Sequence, residues 1–214
     1  MAELAAIAIE CPGVGVPALR AACERALPPD GRVARSRRGM VVALFPVPGR
    51  AALRAAAEAI RSGVALALDD PRCTAGVGAP REGVIGAHVA MLQAEQALHV
   101  GRGLRGTGPT TLLEDLGPYC FVLGQPTREI REFCERTLGP LLENEELVRT
   151  LEAYLRSHGS LNEVGRRLFL HRNTVRLRLR RIAALTGADL ADPDARLALH
   201  LAILGRSALA RLAS

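Results

Sequence analysis

Residues 168–182 read LFLHRNTVRLRLRRI. Five arginines fall in this stretch (Arg172, Arg176, Arg178, Arg180 and Arg181), Arg167 stands just before it, and it holds no acid. Apolar residues are threaded between the arginines, and helical phase sorts the two kinds. At about 100° per residue, Val175, Leu179 and Ile182 share one face. Asn173, Arg176, Leu177 and Arg180 fall on the opposite face, Arg172 flanks that face at the helix start, and Thr174 and Arg178 lie to the sides. An apolar stripe on so short a helix needs a partner, and the residues ahead of it supply one. Ser160 is a good N-cap and Glu163, three residues later, completes a capping box. LNEVGRRLFL then gives a short helix with Leu161, Val164 and Leu168 pointing inward. FLHR is a turn, and the second helix runs from Arg172 to about Leu185, ended by Gly187. Two short helices joined by a tight turn, the second loaded with arginine, make a helix-turn-helix pattern.

The polar groups projecting at the start of the second helix are Arg172, Asn173 and Arg176. Arginine makes bidentate bonds to guanine and asparagine to adenine in the major groove of duplex DNA. Thr174 and the free N–H groups of the first turn suit a phosphate. Leu177 would touch a thymine methyl on a DNA face, and would be an exposed apolar residue on a solvent face. A basic helix can also be a solvated face and nothing more. Against that stands the local charge: from Arg156 to Arg181 there are eight arginines and one acid, Glu163, a balance of +7 in a chain whose net charge is +6. The rest of the chain is therefore slightly acidic. All 28 basic residues are arginine, a usage better explained by base composition of a genome than by chemistry.

Upstream, the pattern is mixed. ELAAIAIE (3–10) suits a buried strand closed by CPGVG, and VPALRAACERAL (16–27) spaces its apolar residues as one helix face before PPDG stops it. RVARSRRGMVVALFPV (32–47) is read as a hairpin turning near Arg37-Arg38-Gly39, and RAALRAAAEAIRSG (50–63) as a helix closed by Gly63. CTAGVGA (73–79) is a further strand, and 83–101 a third helix with Val89, Leu92, Gln96 and Val100 at helical spacing. Residues 103–110 form a Gly-rich loop and 111–116 a short strand. The order β-α-β-β-α-β-α-β predicts a sheet containing antiparallel strands with helices on its faces. From about residue 127 strand signals cease, and helices are expected at 127–143, 144–159 and 192–212. The expected division is a first α+β domain over 1–140 and an all-α helix-turn-helix domain over 141–214.

At this point the sequence resembles a family. The phrase from Thr150 to Ile203 is similar to the C-terminal helix-turn-helix of PucR/CdaR-type bacterial transcriptional regulators. The residues that carry the likeness are His171, Asn173, Thr174, Val175, Arg176, Arg178, Leu179, Arg181 and Ile182, then Leu185, Thr186, Gly187, Asp189, Leu190, Asp192, Pro193, Arg196 and Leu197. TAGVGAP and AHVAMLQAEQALHVG are similar to the region that precedes this domain in the family, a degenerate GGDEF or nucleotide-cyclase-like fold of order βαββαβ. Ala90-Met91 stand where the family usually carries Ser-Tyr. The resemblance implies double-stranded DNA as partner, contacted by His171, Arg172, Asn173, Thr174, Arg176, Arg178, Arg180 and Arg181. It implies a first domain that dimerises the chain or senses a small-molecule effector. Many members carry a sensory domain ahead of these two modules, and none is read here.

Other chemistry is weakly marked. A cyclase needs a Gly-Gly-Asp/Glu hairpin whose carboxylates hold Mg²⁺, and the hairpin here, RSRRGM, has no carboxylate. Gly76-Val77-Gly78 is a faint phosphate-loop hint that reads more simply as a bulge ending a strand. Glu10 is a lone acid. The five histidines (His88, His99, His158, His171, His200) are dispersed, so no metal is expected, and no cofactor or catalytic residue is indicated. The five cysteines (Cys11, Cys23, Cys73, Cys120, Cys134) include no C-x-x-C pair and read as small buried hydrophobes of a reducing cytosol. The N-terminus lacks a basic n-region, and no uncharged stretch reaches the roughly 18 residues of a membrane span. The expected protein is thus a cytoplasmic, non-enzymatic, homodimeric DNA-binding regulator. Two alternatives stay open: a protein-interaction module that kept the fold without DNA binding, and a nucleotide-processing enzyme.

Overall fold

The computed structural model describes residues 3–37 and 39–213. Arg38, at the tip of the expected hairpin, lies outside the described residues. The elements of the first part are β1 (Leu4–Glu10), α1 (Val16–Ala26), β2 (Arg32–Arg37), β3 (Met40–Pro46), α2 (Arg50–Leu68), β4 (Thr74–Arg81), α3 (Gly83–Arg105) and β5 (Thr110–Leu112), followed by a 3-10 segment at Leu113–Phe121. Their order is the one read from the sequence. The strands form one sheet in the order β2-β3-β1-β4-β5. Every neighbouring pair is antiparallel except β4 with β5, which is parallel.

β1 lies at the centre and explains why its sequence is apolar without interruption. Successive side chains of a strand point to opposite faces, and both faces are covered. Ala5, Ile7 and Ile9 pack with Leu19 and Cys23 of α1 and with Leu53 and Ile60 of α2. Ala6 and Ala8 pack with Ala90, Ala94 and Leu98 of α3. On this face β1 and β4 present small residues, with Met40 and Val42 of β3 beside them, because helix and strand backbones meet there. A Cβ on Gly76 would run into the backbone nitrogen of Leu98 and the carbonyl of Ala94, and one on Gly78 into the carbonyl of Ala90. Gly76-Val77-Gly78 is therefore neither a phosphate loop nor a bulge ending a strand. It sits inside β4, where missing side chains permit a close backbone approach.

Three other expectations change. Gly63 does not close α2, which continues to Leu68 and ends with Asp69 in the left-handed region. Gly63 instead lies beneath Ala26 of α1. α3 runs to Arg105, into the expected Gly-rich loop, and the strand after it shrinks to three residues before the 3-10 segment. Glu10 is not alone, since Arg102 of α3 donates to it at 2.8 Å. Cys11, Cys23 and Cys73 all lie in the core between the sheet and α1 and α2. Burial pushes the Cys11 and Cys73 thiols up and that of Cys23 to about 12, as expected of inert, buried sulfur.

The remaining helices are α4 (Thr127–Leu138), α5 (Glu145–Arg156), α6 (Leu161–Leu168), α7 (Arg172–Thr186) and α8 (Pro193–Ala213), with a 3-10 turn at Gly139–Glu143 between α4 and α5. The chain divides into two compact units after Pro126, earlier than the boundary expected at 140, and the last residues from Ala210 group with the first unit. The reason is that Leu138, at the end of α4, is fully buried in the helical core with Leu151, Val164 and Ile182. Asn144 caps α5 by accepting the Leu147 N–H at 3.1 Å, with Glu145 and Glu146 in its positive first turn. Among the described residues no helix is long and apolar enough to cross a membrane.

The glycine seam sets a test. Gly78→Ala places a methyl against a carbonyl that cannot move without lifting α3, so it should cost about 3 kcal/mol or more. Thermal melting of the variant beside the parent chain measures this, and equal melting temperatures would mean that α3 is not held as described.

Candidate nucleic-acid interface

α6 begins where Ser160 Oγ accepts the Glu163 N–H at 3.4 Å, one half of the expected capping box. It ends at Phe169, which takes the left-handed conformation, and Leu170 N–H closes on the Gly165 carbonyl at 2.8 Å. The tight turn depends on Gly165, since a Cβ there would stand 2.7 Å from the Leu170 carbonyl oxygen. His171 then starts α7 as its N-cap, its Nδ1 accepting the Asn173 N–H at 3.3 Å.

Burial along α7 follows the phase read from the sequence. Val175 and Ile182 are fully buried and Leu179 is 8% exposed, in the core that holds Val164, Leu147 and Leu151. His171, Arg172, Asn173, Thr174, Arg176, Arg180 and Arg181 are exposed. Asn173 and Arg180 lie near the middle of the outward face, with Arg181 and Arg176 to either side of it. Arg172 is exposed because it stands at the helix start. Leu177 shares that face and is 67% exposed.

One site residue and one group of backbone donors are engaged within the domain itself. Arg178 is half-buried against α5, where its guanidinium donates to the Glu146 carboxylate at 2.8 Å and approaches Thr150 Oγ1 at 3.4 Å. It serves the packing of α7 on α5 rather than the outward face. The first turn of α7 is also less open to a phosphate than its position suggests. Besides the Asn173 N–H held by His171, the N–H groups of Thr174 and Val175 bond to the His171 carbonyl at 2.9 and 3.2 Å. An anion near this end would meet arginine side chains and the Thr174 hydroxyl more readily than backbone.

Sequence reading passed over two groups beside these. Arg166, on the outward side of α6, and Phe169, in the turn, border a groove that Asn162, His171 and Arg172 also line. No acid lines it. The signal was present in the sequence as an aromatic residue inside a turn. Among the described residues, no three His, Cys, Asp or Glu side chains come together as a metal site would need.

Comparison with known proteins matches both halves of the chain. Residues 147–204 match the model of the PucR C-terminal helix-turn-helix domain, and residues 3–100 that of a GGDEF-like domain. The purine catabolism regulatory protein of Bacillus subtilis is 37% identical over 82 residues, 36% of this chain and 15% of that protein. The carbohydrate diacid regulator of Escherichia coli is 46% identical over 57 residues, 27% of this chain and 15% of that one. The matched part thus spans 15% of the length of each of these two relatives. The crystal structure of a regulator of polyketide synthase expression from Bifidobacterium adolescentis covers 97% of this chain and 86% of its own, at a TM-score of 0.46 and 22% identity.

Because α7 buries one face and exposes the other, two of its residues should fail differently. Arg176→Ala removes no core contact and should change stability by no more than about 0.5 kcal/mol. Leu179→Ala should cost about 2–5 kcal/mol through the cavity it leaves. Melting both variants side by side checks the rotation of the helix, and the reverse ranking would overturn it.

Proposed function

We propose that the chain, which matches a GGDEF-like domain over residues 3–100 and the PucR C-terminal helix-turn-helix domain over residues 147–204, is a sequence-specific DNA-binding transcriptional regulator acting in the cytoplasm. α7 is the recognition helix and enters the major groove with Arg172, Asn173 and Arg176 toward base edges. Thr174, Arg180 and Arg181 reach the sugar-phosphate backbone, and His171 fixes the end of the helix that meets the DNA. Arg178 holds α7 on α5. The observation that carries this reading is the split of α7 into a buried apolar face and an exposed face rich in arginine, with no acid from Arg172 to Thr186.

One such helix is a small interface, so the chain works as a homodimer on two half-sites, about 34–36 Å apart or a multiple of that along the duplex. The first domain supplies dimerisation or senses a small-molecule effector. The absence of a carboxylate in the sequence from Arg32 to Met40 supports a regulatory rather than catalytic role for it.

Selection of duplexes from a random library by the whole chain, followed by titration against salt, tests the reading. If a dimer neutralises about 6–10 phosphates, log K should fall with log salt at a slope of about −5 to −9. A slope near zero at measurable affinity would remove DNA as the partner. Arg176→Ala should lose about 1–3 kcal/mol of discrimination at one base pair, with smaller losses elsewhere in the site. Incubation with GTP and Mg²⁺ or Mn²⁺ should yield no product, and a cyclic dinucleotide in a clean preparation would favour an enzyme.

A further inference from the structure

Phe169 occupies a position built for glycine. It follows the last residue of α6 with φ 55° and ψ 41°, and the bond from Leu170 N–H back to the Gly165 carbonyl is the six-to-one closure of a helix end. Glycine is the usual residue there because it alone has no Cβ to crowd a left-handed backbone, and a bulky side chain at such a position is a genuine outlier. The ring gains nothing from the fold in exchange, since Phe169 is 96% exposed. A strained backbone and an aromatic ring held in water are two separate costs; the helix-end hydrogen bond offsets part of the first, and at 96% exposure the ring recovers none of the second from packing. Strain of this kind is kept at sites where the group has work outside the fold.

Its surroundings say what that work is. The ring borders the groove lined by Asn162, Arg166, His171 and Arg172. All four of these side chains are exposed. The groove therefore offers cations and hydrogen-bond donors to a polyanion, with one apolar surface among them. It adjoins the first turn of α7, the end of the helix that bears Arg172, Asn173 and Arg176. Phenylalanine in the major groove contacts the methyl group of thymine. We infer that Phe169 is a specificity-determining residue, its ring packing on a thymine methyl beside the base pairs that the start of α7 reads. This rests on the regulator reading above.

The substitution Phe169→Gly separates the roles cleanly because it removes the ring and the strain together. The full chain carrying it, and a second variant Phe169→Asn that also tolerates the left-handed backbone, are titrated with a duplex that the parent chain enriches from a random library. The same titrations use copies of that duplex in which each thymine in turn is replaced by uracil, which lacks only the methyl. Both variants should melt no lower than the parent chain and bind the enriched duplex about tenfold more weakly. At one position uracil should weaken the parent chain but neither variant, the signature of a coupled pair. The inference is overturned if both variants keep the parent's affinity, or if they melt well below it. It is equally overturned if they lose affinity for enriched and random duplexes alike with no uracil-sensitive position. A parent chain that enriches no duplex would overturn the regulator reading itself, and this inference with it.

Discussion

Burial of Val175, Leu179 and Ile182 fixes the rotation of α7 about its own axis, and the orientation of every arginine on that helix follows from it. A helix of 15 residues with this many cations has little reason to form alone, because like charges three and four residues apart repel. Packing on α5 and α6 supplies the stability that the helix lacks by itself. Once those three side chains are seated, Arg176 and Arg180 have no direction left but outward, and Arg178 is carried to the side where Glu146 meets it at 2.8 Å. That pair, with Glu146 largely in solvent, contributes about 0–1 kcal/mol, so it refines the orientation and does not create it. Gly165 complements the stripe from the other helix by letting the chain fold back within a methyl's width of α6.

The two units solve the problem of burying apolar surface in different ways. The sheet unit relies on side-chain interdigitation on one face, and on the other it adds a close backbone approach at Gly76 and Gly78 to the packing of Met40, Val42 and Leu98. The helical unit relies mainly on leucine, isoleucine and valine between helices. The difference is visible in composition. Alanine and glycine crowd β4 and α3, whereas the charged helices α4 to α7 carry their apolar residues at regular spacing.

That difference also decided what the sequence disclosed. The helix-turn-helix was legible because its signals are local: a serine cap, an apolar spacing of three and four, and a run of arginines with no acid. The strand and helix order of the first unit was legible for the same reason. What stayed hidden depends on partners distant in the chain. Gly63 looks like a stop signal, yet it continues a helix because Ala26 needs room over it. Glu10 looks solitary until α3 brings Arg102 to it. Arg178 looks like its neighbours until α5 claims it. The role of His171 as a cap, taking up an N–H otherwise free for a ligand, could not be read from residue type alone.

The seam between β4 and α3 also bears on how this chain can vary. Every genetically encoded residue other than glycine carries a Cβ, so at Gly76 and Gly78 there is no conservative replacement. The usual ladder of tolerated changes, from similar to dissimilar, has no first rung. Drift in the first unit must therefore run through its other positions, above all the wet sides of α1 and α2. Apart from Arg54, Glu58 and Arg61, which are tied to neighbouring elements, those surfaces can change, for a new ligand or a new partner, while the join between strand and helix remains as it is.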